Sequence, residues 1–268
     1  MSGGKFHYEQ MTWPEVRDVA GEDRVVVVPI GTLEDHGPHL PIDADCRIIE
    51  EICRRACERV PERTVLLPTV THGYSPHHRD FPGSINIGWD TFVRHLTDIT
   101  GSLVHHGFRR LILANGHGSN MPLVDIAARL TIVEHPEVIC CAYFYLYTEQ
   151  GKEAIRSIRQ SEFPGGMAHA CELETSIYLA VAPELVQMDR AEKDISQPPS
   201  DYFYMDWFDG PGSMMEYWST LSRTGTMGDP TLATADKGKV LLDAAVAELV
   251  MVVDEMKGRR IRPRVDHH

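Results

Sequence analysis

Glu34, His36, His39, Asp43 and Asp45 crowd one short stretch, 31-GTLEDHGPHLPIDAD. Carboxylate oxygens beside imidazole nitrogens suit Zn²⁺, Mn²⁺ or Fe²⁺. A carboxylate between two such ions can bridge them, which favours Asp45 at the mouth of the helix that follows. Three later stretches carry similar side chains. In 72-HGYSPHHRDFPGS they are His72, His77, His78 and Asp80; in 111-LILANGHGSN, His117 between two glycines; in 165-GGMAHACELETS, His169, Glu172 and Glu174. Together they offer a metal set, a candidate base and pocket-lining imidazoles, which is the equipment for hydrolysis by a metal-activated water. Each stretch alone also fits a blander role. The first could be a solvated polar loop, and the glutamates could favour a helix N-terminus, where negative charge is stabilised. On spacing, Glu172 shares a helix face with His169 if the helix already includes that histidine; otherwise nothing in the spacing separates it from Glu174.

The elements that must position these groups alternate between two periods. Continuous apolar runs at 25-VVVVPI, 65-VLLPTV, 111-LILAN and 138-VICCAYFY read as strands covered on both faces. Between them, Cys46, Ile49, Cys53, Cys57 and Val60 recur at helical spacing, and further helices fit about Asp90–His106 and Asn120–Glu134. This alternation predicts a mostly parallel sheet with helices on both faces. In such sheets ligands bind beyond the carboxyl ends of the strands, where the first and third motifs fall. After residue 148 the rhythm weakens. One helix carries Leu173, Ile177, Ala180 and Val181, and a last one fits Thr234–Lys257. The stretch 195-ISQPPSDYFYMDWFDGPGSMMEYW is irregular and aromatic, a lid or a subunit contact.

A chain of 268 residues without repeats or an evident linker suits a single domain over 1–268. The net charge of −13 argues against nucleic acid as the main partner. No apolar run is long enough to span a bilayer and the N-terminus lacks an apolar signal core, so no membrane partner and a cytoplasmic location are expected. The six cysteines form neither a CxxC pair nor a regular disulfide spacing and read as reduced. The terminal His267 and His268 are left out of the site.

The stretches GTLEDHGPHLPIDAD, HHRDFPGS, NGHGSN and HACELETS, in that order from Gly31 to Ser176, resemble the creatininase (creatinine amidohydrolase-like) family. The resemblance implies a three-layer α/β/α sandwich, a homo-oligomer that is often hexameric, and two divalent metal ions. It makes Glu34 and His36 metal ligands, Asp45 the bridge, and His117 the completion of one metal's shell. Creatininase itself has a ligating glutamate two residues after the histidine of the Asn-Gly-His motif, where this chain has Ser119. Glu174 of the Glu-Thr-Ser triplet is the candidate replacement. That departure weakens the expectation of creatinine as substrate.

The expected function is therefore a metal-dependent amidohydrolase acting on a small-molecule amide, a lactam or an N-formyl amine. The metal set is Glu34, His36, Asp45, His117 and Glu174. His169 and Glu172 are the candidate catalytic residues, with His169 as proton shuttle, and His77, His78, Asp80 and Ser119 are the candidate substrate contacts. The alternatives are a peptidase of the same family and a non-catalytic metal or small-ligand binder on the same fold. A two-metal phosphoesterase is disfavoured, because neither a P-loop nor an Arg/Lys cluster accompanies the motifs.

Overall fold

The apolar runs become strands because they are covered on both sides. The computed structural model describes residues 5–268. In chain order it contains α1 Trp13–Ala20, β1 Val25–Ile30, α2 Ala44–Arg59, β2 Thr64–Leu66, α3 Trp89–His105, β3 Arg110–Asn115, α4 Met121–Glu134, β4 Ile139–Phe144 and α5 Glu149–Ile158. There follow β5 Met167–His169, α6 Glu172–Val181, the short α7 Trp218–Leu221, β6 Met227–Gly228 and the long α8 Ala235–Gly258. Strands β2-β1-β3-β4 pair in parallel in that order. β5 and β6 form a separate antiparallel pair.

Alternate residues of each strand feed two cores, as the two-residue period requires. Val25 and Val27 of β1, with Ile112 and Ala114 of β3, pack beneath α2, α6 and α8. Val26, Val28 and Ile30, with Leu111 and Leu113, pack beneath α3 and α4. The architecture is the expected three-layer α/β/α sandwich with a parallel sheet.

Several elements differ from expectation. The run 65-VLLPTV is strand only at Thr64–Leu66; past it the pairing slips by one residue, from Val27 opposite Leu66 to Ile30 opposite Val70, and Val70 rejoins β1 through a single bridge. Helices α1 and α5, only 8 and 10 residues long, were not expected. Helix α6 begins at Glu172, with His169 outside it at the end of β5. The helical-face relation between His169 and Glu172 therefore fails. All six cysteines are free. No described helix is long and apolar enough to cross a membrane.

Candidate metal centre

Four elements deliver side chains to one point beyond the carboxyl ends of β1 and β3. Glu34 and His36 lie on the loop leaving β1, Asp45 in the first turn of α2, His117 just after β3, and Glu174 in the first turn of α6. All five are buried. Gly116 permits the approach of β3 to α2, since a Cβ there would meet the Asp45 carbonyl oxygen at 2.7 Å. Gly118, the other glycine of the motif, has open space where its Cβ would be and is not constrained in this way. The turn from β5 into α6 passes through Ala170 at φ 49°, a left-handed conformation uncommon outside glycine. That turn sets His169 and Glu174 on the same side.

Among the described residues four overlapping groups could hold a metal ion: two contain His169, one with Glu34 and His36 and one with Asp35 and His78, and the other two share Asp45. Of the latter two, Glu34, Asp45 and His117 form one; His36, Asp45 and Glu174 form the other. Asp45 Oδ1 lies 3.3 Å from His36 Nε2, and Oδ2 lies 3.2 Å from His117 Nδ1. Glu34 Oε1 is 3.1 Å from His117 Nδ1, and Glu174 Oε1 is 3.9 Å from His36 Nε2. Each glutamate is anchored through its other oxygen: Ser75 Oγ donates to Glu34 Oε2, and the Cys171 N–H donates to Glu174 Oε2. The atoms left over face inward. Glu34 Oε1, Asp45 Oδ2 and His36 Nε2 are fully buried with no hydrogen-bond partner. Such atoms are costly unless satisfied, and a divalent cation held by carboxylates and imidazoles would satisfy them. The residues present therefore fit two metal ions.

The electrostatics point the same way. Burial alone would push the His36 imidazole down, but Asp45, Glu174 and Glu34 outweigh it and hold it up to about 10. His117 behaves alike: burial opposes, while Glu34 and Asp45 raise it well above its ordinary value. Burial also works against the Asp45 carboxylate, yet His36 and His117 keep it well below the usual range. This is a buried field that favours positive charge. The surrounding histidines do the opposite. Burial, reinforced by neighbouring imidazoles, pushes His78 and His169 well below their ordinary value and His77 down to about 3.

His169 is poised by its backbone partner. Its Nε2 lies 2.8 Å from the Asp35 carbonyl oxygen, which can only accept, so Nε2 carries the proton. Nδ1 is left with its lone pair 3.8 Å from Glu34 Oε1. Trp218 roofs the imidazoles, its ring centroid 4.6 Å from His78, 5.2 Å from His77 and 5.3 Å from His169. A cavity of about 460 Å³ opens beside the cluster, lined on one side by Asp45, His117, His169 and Glu174 and on the other by the irregular 197–218 segment.

Other candidates lie elsewhere. Glu172 is not in the cluster. Its carboxylate accepts the N–H groups of Gln160 and Ser161 and pairs with Lys237, so it fastens α6 to the 160s loop and α8, away from the cluster. Asp80 is exposed, accepts from Ser219 and does not line the cavity. His77 and Ser119 do line it, and they contact each other at 3.0 Å; His78 lines it as well. Within the first motif, His39 contacts Thr175, and Asp43 pairs with Arg47 and Tyr178. Two residues escaped sequence reasoning: Asp35, whose carboxylate lies 3.3 Å from His78 Nδ1, and Trp218. The only sequence signals were the position of Asp35 between two ligand candidates and the aromatic richness around Trp218.

A parallel α/β/α sandwich carrying two carboxylate–imidazole groups around a shared aspartate defines a metal-dependent hydrolase. The comparisons agree. The sequence model of the creatininase family, described as creatinine amidohydrolase, matches residues 9–253. Creatinine amidohydrolase of Pseudomonas putida is 28% identical over 262 residues, 92% of this chain and 95% of its own length. Mycofactocin precursor peptide peptidase of Mycobacterium ulcerans is 30% identical over 246 residues, 89% of this chain and 84% of its own. A manganese form of creatininase superposes with a TM-score of 0.81 at 25% identity, covering 95% of this chain and 100% of that one. A Zn–Zn form of a creatininase variant does so at 0.80 and 26%, with the same coverage. The chain belongs to the creatininase family. It is an amidohydrolase whose site is a divalent-metal centre.

Proposed function

We propose that the chain hydrolyses a small amide, a lactam or an N-formyl amine, with Glu34, Asp45 and His117 holding one metal ion and His36, Asp45 and Glu174 the other. The observation that carries this reading is the division of the Asp45 carboxylate, one oxygen facing each group. When bound, the metal pair supplies a water of lowered pKa and polarises the substrate carbonyl. The chain's own residues do the rest. Ser75 and the Cys171 N–H fix the rotamers of Glu34 and Glu174, so their free oxygens need no reorganisation. His169 keeps an unprotonated Nδ1 beside the cluster, able to take a proton there and pass it to the departing nitrogen. A positioned acid–base group contributes on the order of 10²–10⁴-fold. Trp218 covers the imidazoles and keeps bulk water from them.

Metal-reconstituted protein assayed against a lactam, a formamide and a short peptide tests the proposal. Turnover of the lactam or the formamide, lost in Asp45→Ala, is expected. Turnover of the peptide alone would make the chain a peptidase. Metal loading without turnover of any of the three would favour the ligand-binding alternative.

A further inference from the structure

No lysine or arginine lines the cavity beside the metal cluster. Outside the cluster its carboxylates are Asp206, Asp209 and Glu216. Asp206 is fully engaged: it takes Arg159 through both oxygens at 2.7 Å and accepts the Gly165 N–H at 2.8 Å. The other two are free. Asp209 accepts only the Asp206 N–H, at 3.2 Å, and has no cationic partner among the described residues. Glu216 has neither a hydrogen bond nor an ion pair among them. Much of the remaining wall is aromatic, from Tyr74, Phe144, Tyr147, Tyr204, Trp207 and Trp218. His77, only 3% exposed, lines the same cavity, and its Nδ1 has no hydrogen-bond partner, so the wall also holds an unmet polar atom.

These walls discriminate by charge. An anion entering would leave water to face carboxylates without a counter-ion. The charge of metal ions held at the cluster would be met there by Glu34, Asp45 and Glu174. An organic cation would gain from both free carboxylates and from aromatic ring faces. The volume of about 460 Å³ falls within the range that buries ligands well beyond a single small ring.

Building on the amidohydrolase reading above, we infer that the amide taken by this site carries an organic ammonium group remote from the scissile bond, seated on the wall that bears Asp209, Glu216 and the aromatic rings. A carboxylate or phosphate in that place is rejected.

Binding tests this independently of turnover. Three benzohydroxamates, alike except for a para aminomethyl, methyl or carboxylate group, are titrated by calorimetry into the manganese-loaded protein. The aminomethyl compound should bind about tenfold or more tighter than the carboxylate and tighter than the methyl compound. In Asp209→Asn/Glu216→Gln the ratio of aminomethyl to methyl affinity should fall towards one, with metal content retained. Equal or tighter binding of the carboxylate, an unchanged ratio in the double variant, or no binding of any of the three would overturn the inference. The matching para-substituted formanilides separate it from the parent reading. The binding order without hydrolysis of any amide keeps the charge preference and sinks the amidohydrolase substrate, whereas hydrolysis without the order does the reverse.

Discussion

Asp45 is the residue on which both halves of the site depend, since it faces His36 and His117 with different oxygens. Asp45→Asn should therefore lose both metal ions. Glu174→Gln removes a carboxylate from one group only and should lose one ion of the two. Glu172→Gln should keep both, because its carboxylate is spent on Lys237 and two backbone N–H groups. Its effect should appear instead as a loss of about 1–3 kcal/mol of stability, as expected when a buried partner is left unsatisfied. Metal analysis after identical reconstitution, with a denaturant titration alongside, decides the three cases. Metal loss in Glu172→Gln with retention in Glu174→Gln would reverse the assignment. His169 is a different case, being tied to the Asp35 carbonyl with its lone pair directed to the cluster. His169→Ala should retain metal and lower kcat by roughly 10²–10⁴-fold. Loss of metal in that variant would make His169 a ligand and move the proton transfer to another imidazole.

At the scale of elements, what could be read from sequence follows from what leaves a periodic trace. Strands β1 and β3 are legible because both faces are buried, so Val25–Ile30 and Leu111–Ala114 are apolar throughout. The motifs that follow them had to lie at the carboxyl ends of a parallel sheet, and the structure puts Glu34, His36 and His117 there. The route into α6 leaves no such trace. A left-handed turn at Ala170 is not signalled by an alanine, so nothing in the sequence marks His169 as lying outside the helix. The wall of the cavity is equally silent, because a contact between distant side chains holds it rather than a repeating pattern. Asp206 binds Arg159 through both oxygens and also takes the Gly165 N–H, four residues before His169. One carboxylate thus fastens both the cavity wall and the segment leading to the candidate base. Asp206→Ala leaves the part-buried Arg159 guanidinium with only the Ser161 and Glu162 carbonyls as acceptors, a loss of about 1–3 kcal/mol. The protein should unfold at lower denaturant. At temperatures where it remains folded, KM should rise more than kcat falls, with metal content unchanged. An unaltered KM would show that the clamp serves stability alone.

Two properties extend from the site to the whole molecule. Tyr202, Phe203, Met214, Met215 and Tyr217 are all more than half exposed on one irregular segment, an apolar display larger than a solvated loop requires. We expect a homo-oligomer that covers part of it, and light scattering at micromolar concentration would contradict this by returning a monomer's mass. The second property is that the five proposed ligands come from the β1 exit loop, α2, the β3 exit and α6, so metal binding would tie together segments from residue 34 to residue 174. Unfolding separates them, and an unfolded chain cannot present both groups at once. Each ion should therefore stabilise the native state by mass action, by about 2.7 kcal/mol for free metal at a hundred times Kd and about 4.1 at a thousand times. For a chain of this size each kcal/mol shifts Tm by roughly 2–4 °C. Stripping the metal with a chelator should then lower Tm by roughly 5–16 °C for each ion lost, and restoring a divalent ion should recover it. Asp45→Asn should melt near the stripped protein and gain nothing from added metal. A wild-type Tm indifferent to the chelator, or an Asp45→Asn protein that gains as much from metal as wild type does, would mean that the cluster does not link these segments through a metal ion.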